Sequence, residues 1–165
     1  MNYNIRKANS DDIPVIGELL YQVHGVHAEL RPDLFIEGGR KYNEVQLSEI
    51  LNDENTPVYV CIADDIVAGY IFLRIERENS PSRRAITTLY IDDLCVREKM
   101  RGHGIGHKLF AFAEEFASDI GAYNITLHVY NGNVSAKNFY NSLGMKPQYI
   151  AMEKIVSPKR GADKN

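Results

Sequence analysis

The spacing of apolar residues predicts a strand and two helices in the first third of the chain. Residues 3–8 (YNIRKA) alternate between apolar and polar side chains, as a half-buried strand does. Apolar residues then recur with the helical period. They are Ile13, Ile16, Leu19, Leu20 and Val23. Ser10 is the expected N-cap of this helix, and Pro32 should end or bend it. Asn43 and Gln46 have the spacing of a capping box before a short second helix.

In the middle of the chain, the pattern of apolar residues changes from the helical period to that of strands. Residues 57–76 contain two β-rich runs on either side of residues 63–65, which is the pattern of a hairpin. Residues 85–96 (AITTLYIDDLCV) form a third β-rich run. We expect three antiparallel neighbours here, because connections this short join antiparallel strands most simply.

Helix and strand patterns alternate again in the last third. An apolar stripe predicts a helix that begins near Ile105 and ends at Gly121. Residues 123–130 (YNITLHVY) have the pattern of a strand. Asn133 should cap a further helix that ends at Gly144.

The pattern closes with a predicted strand over residues 146–156 (KPQYIAMEKIV). The residues after it, 157–165, are predicted to be a disordered tail. No repeat or linker interrupts the pattern, so residues 1–156 are expected to form a single domain of the mixed α/β class. The chain of 165 residues is long enough for one domain with a substantial core.

Composition narrows the classes of partner. The net charge of −3 includes no basic excess, so nothing indicates nucleic-acid binding. No apolar run is long enough to span a membrane, and the first residues lack the apolar region of a signal peptide. Cys61 and Cys95 lie in separate apolar runs, as reduced cysteines in strands do, and a disulfide between them is the alternative. We therefore expect a cytoplasmic protein without nucleic-acid or membrane partners.

A glycine-rich segment, Arg101 to Gly106 (RGHGIG), stands between a predicted strand and a predicted helix. This arrangement points free main-chain N–H groups and the positive end of the helix dipole at one place, where phosphate binds well. Arg101, His103, His107 and Lys108 add donors nearby. Position 107 is a histidine where both the P-loop and the dinucleotide fingerprint require glycine, so neither motif is present. A tight turn that binds no ligand is the alternative.

Two segments resemble motifs of the Gcn5-related N-acetyltransferase (GNAT) superfamily. The first, CVREKMRGHGIGHKLFAFAEEFA, contains the pattern Arg/Gln-x-x-Gly-x-Gly/Ala at Arg101, Gly104 and Gly106. The second, LHVYNGNVSAKNFYNSLGMKP, resembles the later motif of the superfamily. Its matching residues are Asn133, Ala136, Tyr140, Gly144 and Met145. The two segments have the order and separation found in the superfamily.

The resemblance implies a fold and a cofactor. The fold would be a mixed, mostly antiparallel sheet, splayed apart at its central strands, with helices on both faces. The cofactor would be acetyl-CoA, with its pyrophosphate on the glycine segment and its pantetheine arm along a central strand. The residues expected at the cofactor are Leu94, Cys95, Val96, Arg101, Gly102, His103, Gly104, Ile105, Gly106, His107, Lys108, Asn133 and Tyr140.

Acetyl transfer to an amine needs one group that removes a proton from the amine and another that protonates the leaving thiolate. Tyr140, at the tyrosine position of the superfamily, is the candidate acid. Asp92 and His128, on neighbouring predicted strands, are the candidate bases, and relatives also relay protons through water. A packed tyrosine, a solvent-facing carboxylate and a half-buried histidine are the ordinary alternatives.

Simple alternation along the third β-rich run assigns each side chain to a face. Asp92 would share one face with Leu94 and Val96. Asp93 would then point to the opposite face, which makes it the weaker candidate for a base.

Tyr21, His24, His27 and Phe35 are expected to line the acceptor pocket, because the first two helices flank that pocket in relatives. Ordinary packing in the core or on a helix surface is the alternative for each of them. His24 and His27 lie near Glu29, but no third histidine or cysteine joins them locally to close a zinc site. We therefore expect no metal.

These observations predict an N-acetyltransferase that moves an acetyl group from acetyl-CoA to a primary amine by direct attack in a ternary complex. The acceptor would be a small-molecule or peptide amine, and relatives suggest a homodimer as one option. A catalytically inactive, regulatory acyl-CoA-binding module is one alternative. A structural or nucleotide-binding α/β domain is another.

Overall fold

A five-stranded mixed sheet carries helices on both of its faces, as predicted. The computed structural model describes residues 2–156, so the predicted tail, residues 157–165, lies outside the described part. The strands are β1 (Tyr3–Lys7), β2 (Val58–Ala63), β3 (Ile66–Arg77), β4 (Thr87–Val96) and β5 (Asn124–Thr126). The helices are α1 (Ile13–Leu30), α2 (Glu44–Asn52), α3 (Ile105–Asp119) and α4 (Val134–Ser142). The strands lie in the order β1-β2-β3-β4-β5, and among these described strands only the β4–β5 pair is parallel.

Local capping sets where the first two helices begin. Asn9, rather than the predicted Ser10, caps the 3₁₀ turn that leads into α1, because Asn9 and Asp12 form a capping box. The predicted capping box of Asn43 and Gln46 is present at the start of α2.

Two apolar layers hold the helices to the sheet. The layer between the sheet and α3 includes the buried residues Leu89, Ile105 and Leu109. The layer between the sheet and the α1–α2 pair includes Ile16 and Leu47. Burial of one large aliphatic side chain contributes about 1.5–3 kcal/mol, so each layer fixes its helices firmly against the strands.

Strand β4 has a partner on its β5 side along three residues only. Residues 88–90 pair with residues 124–126, and from Ile91 onward no strand in the described chain continues this pairing. On its other side β4 stays paired with β3 as far as Val96. The two parallel strands therefore diverge, and one main-chain edge of β4 faces an open cleft. This is the splayed sheet that the resemblance implied.

A bulge interrupts β4 just beyond the point where the strands diverge. Ile91 lies opposite Leu73 and Asp93 lies opposite Phe72, so Asp92 is an extra residue without a partner in β3. A bulge of this kind bends the strand and shifts the alternation of its side chains by one position.

The predicted alternation across Asp92 is therefore wrong. Leu94 and Val96 pack in the layer against α3, as expected for one face. Asp92 instead bonds to Tyr42, on the side of α1 and α2, and the side chain of Asp93 lies on that same side. The extra residue turns both aspartates to one face of the sheet.

Residues 146–156 do not form the predicted last strand, and β5 ends at Thr126 rather than near residue 130. Within residues 2–156, no main-chain group of this segment hydrogen-bonds to another main-chain group. A strand needs a neighbouring edge to satisfy its N–H and C=O groups, and the short β5 does not extend beside this segment. Its large apolar side chains are consequently 63–88% exposed. They are Tyr149, Ile150, Met152, Ile155 and Val156.

Both cysteines are buried free thiols, in agreement with the prediction. In the part of the chain that the structure describes, no helix combines the length and the apolar content needed to cross a membrane.

The close approach of β3 to β4 at Gly69 leads to a stability prediction. A methyl group on Gly69 would lie 2.5 Å from the carbonyl oxygen of Cys95, well inside contact distance. We expect Gly69→Ala to lower the free energy of unfolding by about 1–3 kcal/mol, because the two backbones must move apart. Gly17→Ala in α1 is the matched control, since a methyl group there meets nothing within 4 Å. Urea unfolding measures both variants, and equal stability of the two would contradict the prediction.

Candidate active site

The glycine segment forms a turn with unpaired main-chain donors at the start of α3. Gly102 and Gly104 have φ angles of +79° and +78°, in the left-handed region that glycine adopts without strain. Among the described residues, no main-chain N–H from Gly102 to His107 donates a hydrogen bond; the next one, Lys108, donates to the carbonyl of Gly104 at 3.0 Å. Consecutive free donors at the positive end of a helix dipole form an anion-binding turn.

The glycines of this turn serve two different purposes. A methyl group on Gly102 or Gly104 would meet no protein atom within 4 Å, so the space beside the free N–H groups is open. A methyl group on Gly106 would lie 3.1 Å from the ring of Phe139 in α4. Gly106 therefore allows α3 and α4 to pack closely, while the other two leave room for a ligand.

Arg101 and His107 flank the turn and line the cleft. The Nε of Arg101 donates to the carbonyl of Val96 at 3.3 Å, which holds the guanidinium beside the end of β4. The ring of His107 packs edge-on against Phe139, with 5.3 Å between ring centroids.

Helix α4 brings Asn133 and Tyr140 to the same cleft. The Oδ1 of Asn133 accepts a hydrogen bond from the N–H of Ala136 at 3.1 Å and caps the helix. Its side-chain NH₂ has no partner among the described residues. Burial, and after it the charge of Asp93, raises the pKa of the Tyr140 hydroxyl. Tyr140 therefore stays protonated at neutral pH and can act as a proton donor.

Asp92 is surrounded by hydrogen-bond donors and cations. Its Oδ2 accepts from the Nζ of Lys41 and from the hydroxyl of Tyr42, each at 2.8 Å. The Nη1 of Arg74 lies 3.7 Å from its Oδ1. Burial by itself raises the pKa of this carboxyl, but the hydrogen bonds and charges of these neighbours outweigh burial and hold the pKa below its usual range. Asp92 is therefore ionised at neutral pH.

Asp93 has the opposite shift. Its side chain is 8% exposed, and burial raises the pKa of the carboxyl to about 6, against the charge of Lys41 at 3.7 Å. The buried hydroxyl of Tyr70 has no hydrogen-bond partner within residues 2–156, and burial and the charge of Asp93 both raise its pKa. The two adjacent aspartates thus differ in protonation at mildly acid pH, below about 6, and both are ionised at neutral pH.

His128 is held between two tyrosines. Its Nδ1 lies 3.1 Å from the hydroxyl of Tyr90, and its Nε2 lies 2.6 Å from the hydroxyl of Tyr149. The guanidinium of Arg74 covers the ring of Tyr90, 4.5 Å from its centroid. Because both ring nitrogens are engaged, His128 is better suited to orient the tyrosines than to remove a proton directly.

Aromatic rings from α1 and from the segments after α1 and β5 line the cleft. His24, His27 and Phe35 line it, and Tyr130 meets them from beyond β5. The centroid of Phe35 lies 5.3 Å from that of His27 and 5.7 Å from that of Tyr130. Burial, and after it the charge of Lys41, lowers the pKa of His27. In the described chain, no group of three His, Cys, Asp or Glu side chains could hold a metal ion.

Residues 146–156 lie along the cleft through two polar contacts. One is the hydrogen bond between Tyr149 and His128. The other is the ion pair between Glu153 and Arg31, whose Oε1 and Nη1 are 2.6 Å apart. The segment therefore forms part of the cleft wall without joining the sheet.

Comparison with known proteins assigns the family. The sequence model of the acetyltransferase (GNAT) family matches residues 23–145. The chain belongs to this family. A solved structure, of a mutant of the BH1408 protein from Bacillus halodurans, is 31% identical and superposes with a TM-score of 0.90. The match covers 93% of this chain and 99% of that one.

Two relatives carry names of acetyltransferases that state a substrate. The chain is 33% identical to L-ornithine N5-acetyltransferase NATA1 of Arabidopsis thaliana over 81 residues, which are 49% of this chain and 34% of that protein. It is 30% identical to thialysine N-epsilon-acetyltransferase of Bos taurus over 115 residues, which are 70% of this chain and 61% of that protein. The chain thus spans between 34% and 61% of the length of these two relatives.

The structure brings most of the residues assigned from the GNAT resemblance to one cleft, with three exceptions. His103 turns its Nδ1 towards the main-chain carbonyls of residues 100 and 101. The ammonium group of Lys108 lies over the ring of Tyr3, 4.8 Å from its centroid. Tyr21 lines a separate depression between α1 and α2. Hydrogen bonds within the loop direct His103 away from the cleft. Lys108 and Tyr21 point away from it because of their positions around α3 and α1.

Three residues that line this GNAT cleft or bond to its walls were not predicted from the sequence. Lys41 and Tyr42 lie in the irregular connection between α1 and α2, where no motif singles them out. Gln22 donates from Nε2 to the carbonyl of Val96 at 3.1 Å and accepts from the N–H of Glu98 at 3.0 Å. A polar side chain beside the apolar stripe of α1 was the one available signal for Gln22.

The opposite shifts of the two aspartates lead to a prediction about stability and pH. The pKa of Asp93 is raised from 3.8 to about 6 in the fold, so its stabilising effect is complete below pH 4 and is lost as the pH rises through 6. Relative to Asp93→Asn, the wild-type free energy of unfolding should fall by about 3 kcal/mol over this range.

Asp92→Asn is the control with the opposite sign. Because the pKa of Asp92 is lowered, its contribution is present at neutral pH and is lost only as the pH falls through the lowered value. Denaturant unfolding between pH 3 and 8 measures both differences, and parallel curves for the two variants would contradict the assignment.

Proposed function

We propose that the protein is an N-acetyltransferase that moves an acetyl group from acetyl-CoA to a primary amine by direct attack in a ternary complex. The observation that carries this proposal is the continuity of the cleft. It runs from the free N–H groups at the start of α3 to the aspartate pair at the bulge of β4. One end suits a phosphate and the other suits an ammonium group.

The residues of the cleft fit acetyl-CoA. The N–H groups of residues 102–107 would hold the pyrophosphate, and the free edge of β4 at residues 94–96 would bind the pantetheine arm. The unpaired NH₂ of Asn133 is free to donate to that arm. When bound, acetyl-CoA supplies the activated thioester. Gly102 and Gly104 leave its approach unobstructed.

We propose Asp93 as the group that accepts the proton of the acceptor amine, ahead of Asp92 and His128. An alkylammonium with a pKa near 10.4 must lose a proton before it can attack. With a pKa of about 6, Asp93 is the stronger base of the two aspartates and is ionised at neutral pH. Asp92, with its lowered pKa, remains charged and positions the ammonium. His128 orients Tyr90 and Tyr149.

Tyr140 is proposed as the acid that protonates the leaving thiolate. Its raised pKa keeps the proton on the hydroxyl until a strong base forms beside it. The hydroxyl makes no hydrogen bond with any described residue, so it is not committed to a structural partner.

A small amino acid with a side-chain amine is the proposed acceptor. The acceptor end of the cleft carries both signs of charge, with Asp92 and Asp93 on β4 and Arg74 on β3. Such a site matches a zwitterion that presents an ammonium and a carboxylate. The named relatives acetylate ornithine and thialysine, which are compounds of this type.

The test is a steady-state assay of thiol release from acetyl-CoA with L-ornithine, thialysine and spermidine, the last being an amine without a carboxylate. Tyr140→Phe should lower kcat by about 10²–10⁴-fold and leave the Kd for acetyl-CoA nearly unchanged. Gly104→Val should chiefly weaken acetyl-CoA binding, because its side chain obstructs the approach to the free N–H groups.

The outcomes separate the candidate functions. Binding of acetyl-CoA without turnover of any amine would indicate the inactive acyl-CoA-binding module. No binding of acetyl-CoA by calorimetry would overturn the enzyme and the module together. Faster turnover of spermidine than of both amino acids would overturn the proposed acceptor class.

We also propose that two copies associate through residues 146–156. The segment exposes five large apolar side chains and carries main-chain groups that no other main-chain group in the described chain satisfies. The same segment of a second copy, antiparallel about a two-fold axis, would supply the missing edge. The cytoplasmic location stays a prediction from the sequence.

Sedimentation measures this association. The wild-type chain should be a dimer, and Ile150→Asp combined with Met152→Asp should be a monomer, because pairing would bury both new charges. Val45→Asp is the control, since Val45 is 69% exposed on α2, and it should remain a dimer. A wild-type monomer at every concentration would rule out the association.

A further inference from the structure

The chain already holds one of its own primary amines at the aspartate pair. The Nζ of Lys41 lies 2.8 Å from Oδ2 of Asp92, 3.0 Å from the main-chain carbonyl oxygen of Asp92 and 3.7 Å from Oδ2 of Asp93. An ammonium group has three donors and no acceptor. Two of the donors of Lys41 reach oxygens of Asp92, and the carboxylate of Asp93 lies at ion-pair distance beyond them.

Lys41 enters this position from a different part of the chain. It belongs to the irregular connection between α1 and α2, next to Tyr42, whose hydroxyl also donates to Asp92. The side chain of Lys41 is 36% exposed and lines the cleft, so it reaches the bulge from the solvent side. An external acceptor amine would need the same carboxylates and would enter by the same side.

The other cation beside Asp92 cannot act as an acceptor. Arg74 lies 3.7 Å from Asp92, but its guanidinium does not lose a proton in proteins and has no free nucleophilic nitrogen. Lys41 becomes a nucleophile once a single proton is removed, and Asp93, 3.7 Å away, is the proposed base.

We propose that Lys41 is an acceptor of the enzyme itself and becomes acetylated at Nζ; this rests on the proposed N-acetyltransferase function. Asp93 takes one proton from the ammonium, and the neutral nitrogen forms a C–N bond to the acetyl carbon while the C–S bond of the thioester breaks. The thiolate takes a proton from Tyr140, and the nitrogen loses its second proton, which restores Tyr140 through solvent. The products are Nε-acetyl-Lys41, CoA thiol and one released proton.

Acetylation changes the electrostatics of the bulge. The product is a neutral amide with one N–H donor in place of three charged donors. Asp92 and Asp93 then lose the cation that faces both of them, and the oxygens of the bulge become available to the ammonium of an external amine. Lys41 thus controls access to the acceptor position.

The experiment uses the purified full-length chain with acetyl-CoA and no added amine, followed by intact mass measurement and peptide mapping. We expect one acetyl group per chain, on Lys41, with a half-time that does not depend on protein concentration. Lys41→Arg, which keeps the charge and removes the nucleophile, should lose the adduct. Lys99→Arg, at an exposed lysine outside the cleft, is the matched control and should keep it.

Three results would overturn the inference. The first is an unmodified Lys41 in a chain that turns over an external amine, which leaves the proposed function intact. The second is acetylation spread evenly over exposed lysines such as Lys99 and unaffected by Tyr140→Phe, which indicates uncatalysed reaction with acetyl-CoA. The third is a half-time that shortens with protein concentration, which indicates transfer between molecules. Failure of every amine, Lys41 included, would instead count against the proposed function.

Discussion

The loss of β4–β5 pairing after Tyr90 is the constraint on which the rest of the site depends. Strand β4 remains paired with β3 on both sides of the bulge and is packed between two apolar layers, so it is held in place even where its other edge has no partner. An unpaired edge of a buried strand must find donors and acceptors elsewhere. In this fold the edge leads directly from the bulge to the free N–H groups at the start of α3, so main-chain groups without a strand partner lie along one side of the cleft.

The chemistry of the cleft comes from placing two identical side chains in different surroundings. Asp92 is the residue expelled from the β3–β4 ladder, and it reaches the donors of the α1–α2 connection. Asp93 returns to the ladder and is buried against the apolar layer that contains Tyr70. Burial and hydrogen bonding act in opposite directions on a carboxyl group. One strand irregularity therefore produces a pair with distinct roles, which is a common way to obtain an acid–base pair from two carboxyls.

Much of the fold followed from local sequence signals with a physical cause. The box of Asn43 and Gln46 and the turn at Asp64 predicted a helix start and a hairpin that the structure contains. The bulge was not predictable, because an extra residue cannot be recognised in an alternating pattern. Asp92 and Asp93 were therefore predicted on opposite faces of the sheet, whereas they lie on the same face. Lys41 was also missed, since it lies in an irregular connection without a motif. Its role depends on Asp92 and Asp93, which are distant in sequence and are brought beside it by the fold. Residues 146–156 were predicted as a strand because their composition favours one, yet composition does not supply a neighbouring edge.

Helix α4 is attached to the molecule more loosely than the other helices. None of its residues is fully buried, and its ring contacts with α3 are those of Phe139 against Gly106 and His107 and of Tyr140 against Phe110. Elements with few buried apolar contacts open locally at a lower free energy than the core. Its amide protons should therefore exchange with solvent earlier than those of α3. Asn133 and Tyr140 both belong to this part of the chain. A ligand that bridges α3 and α4 should therefore slow amide exchange in α4 most, with little change in the exchange rates of the strands.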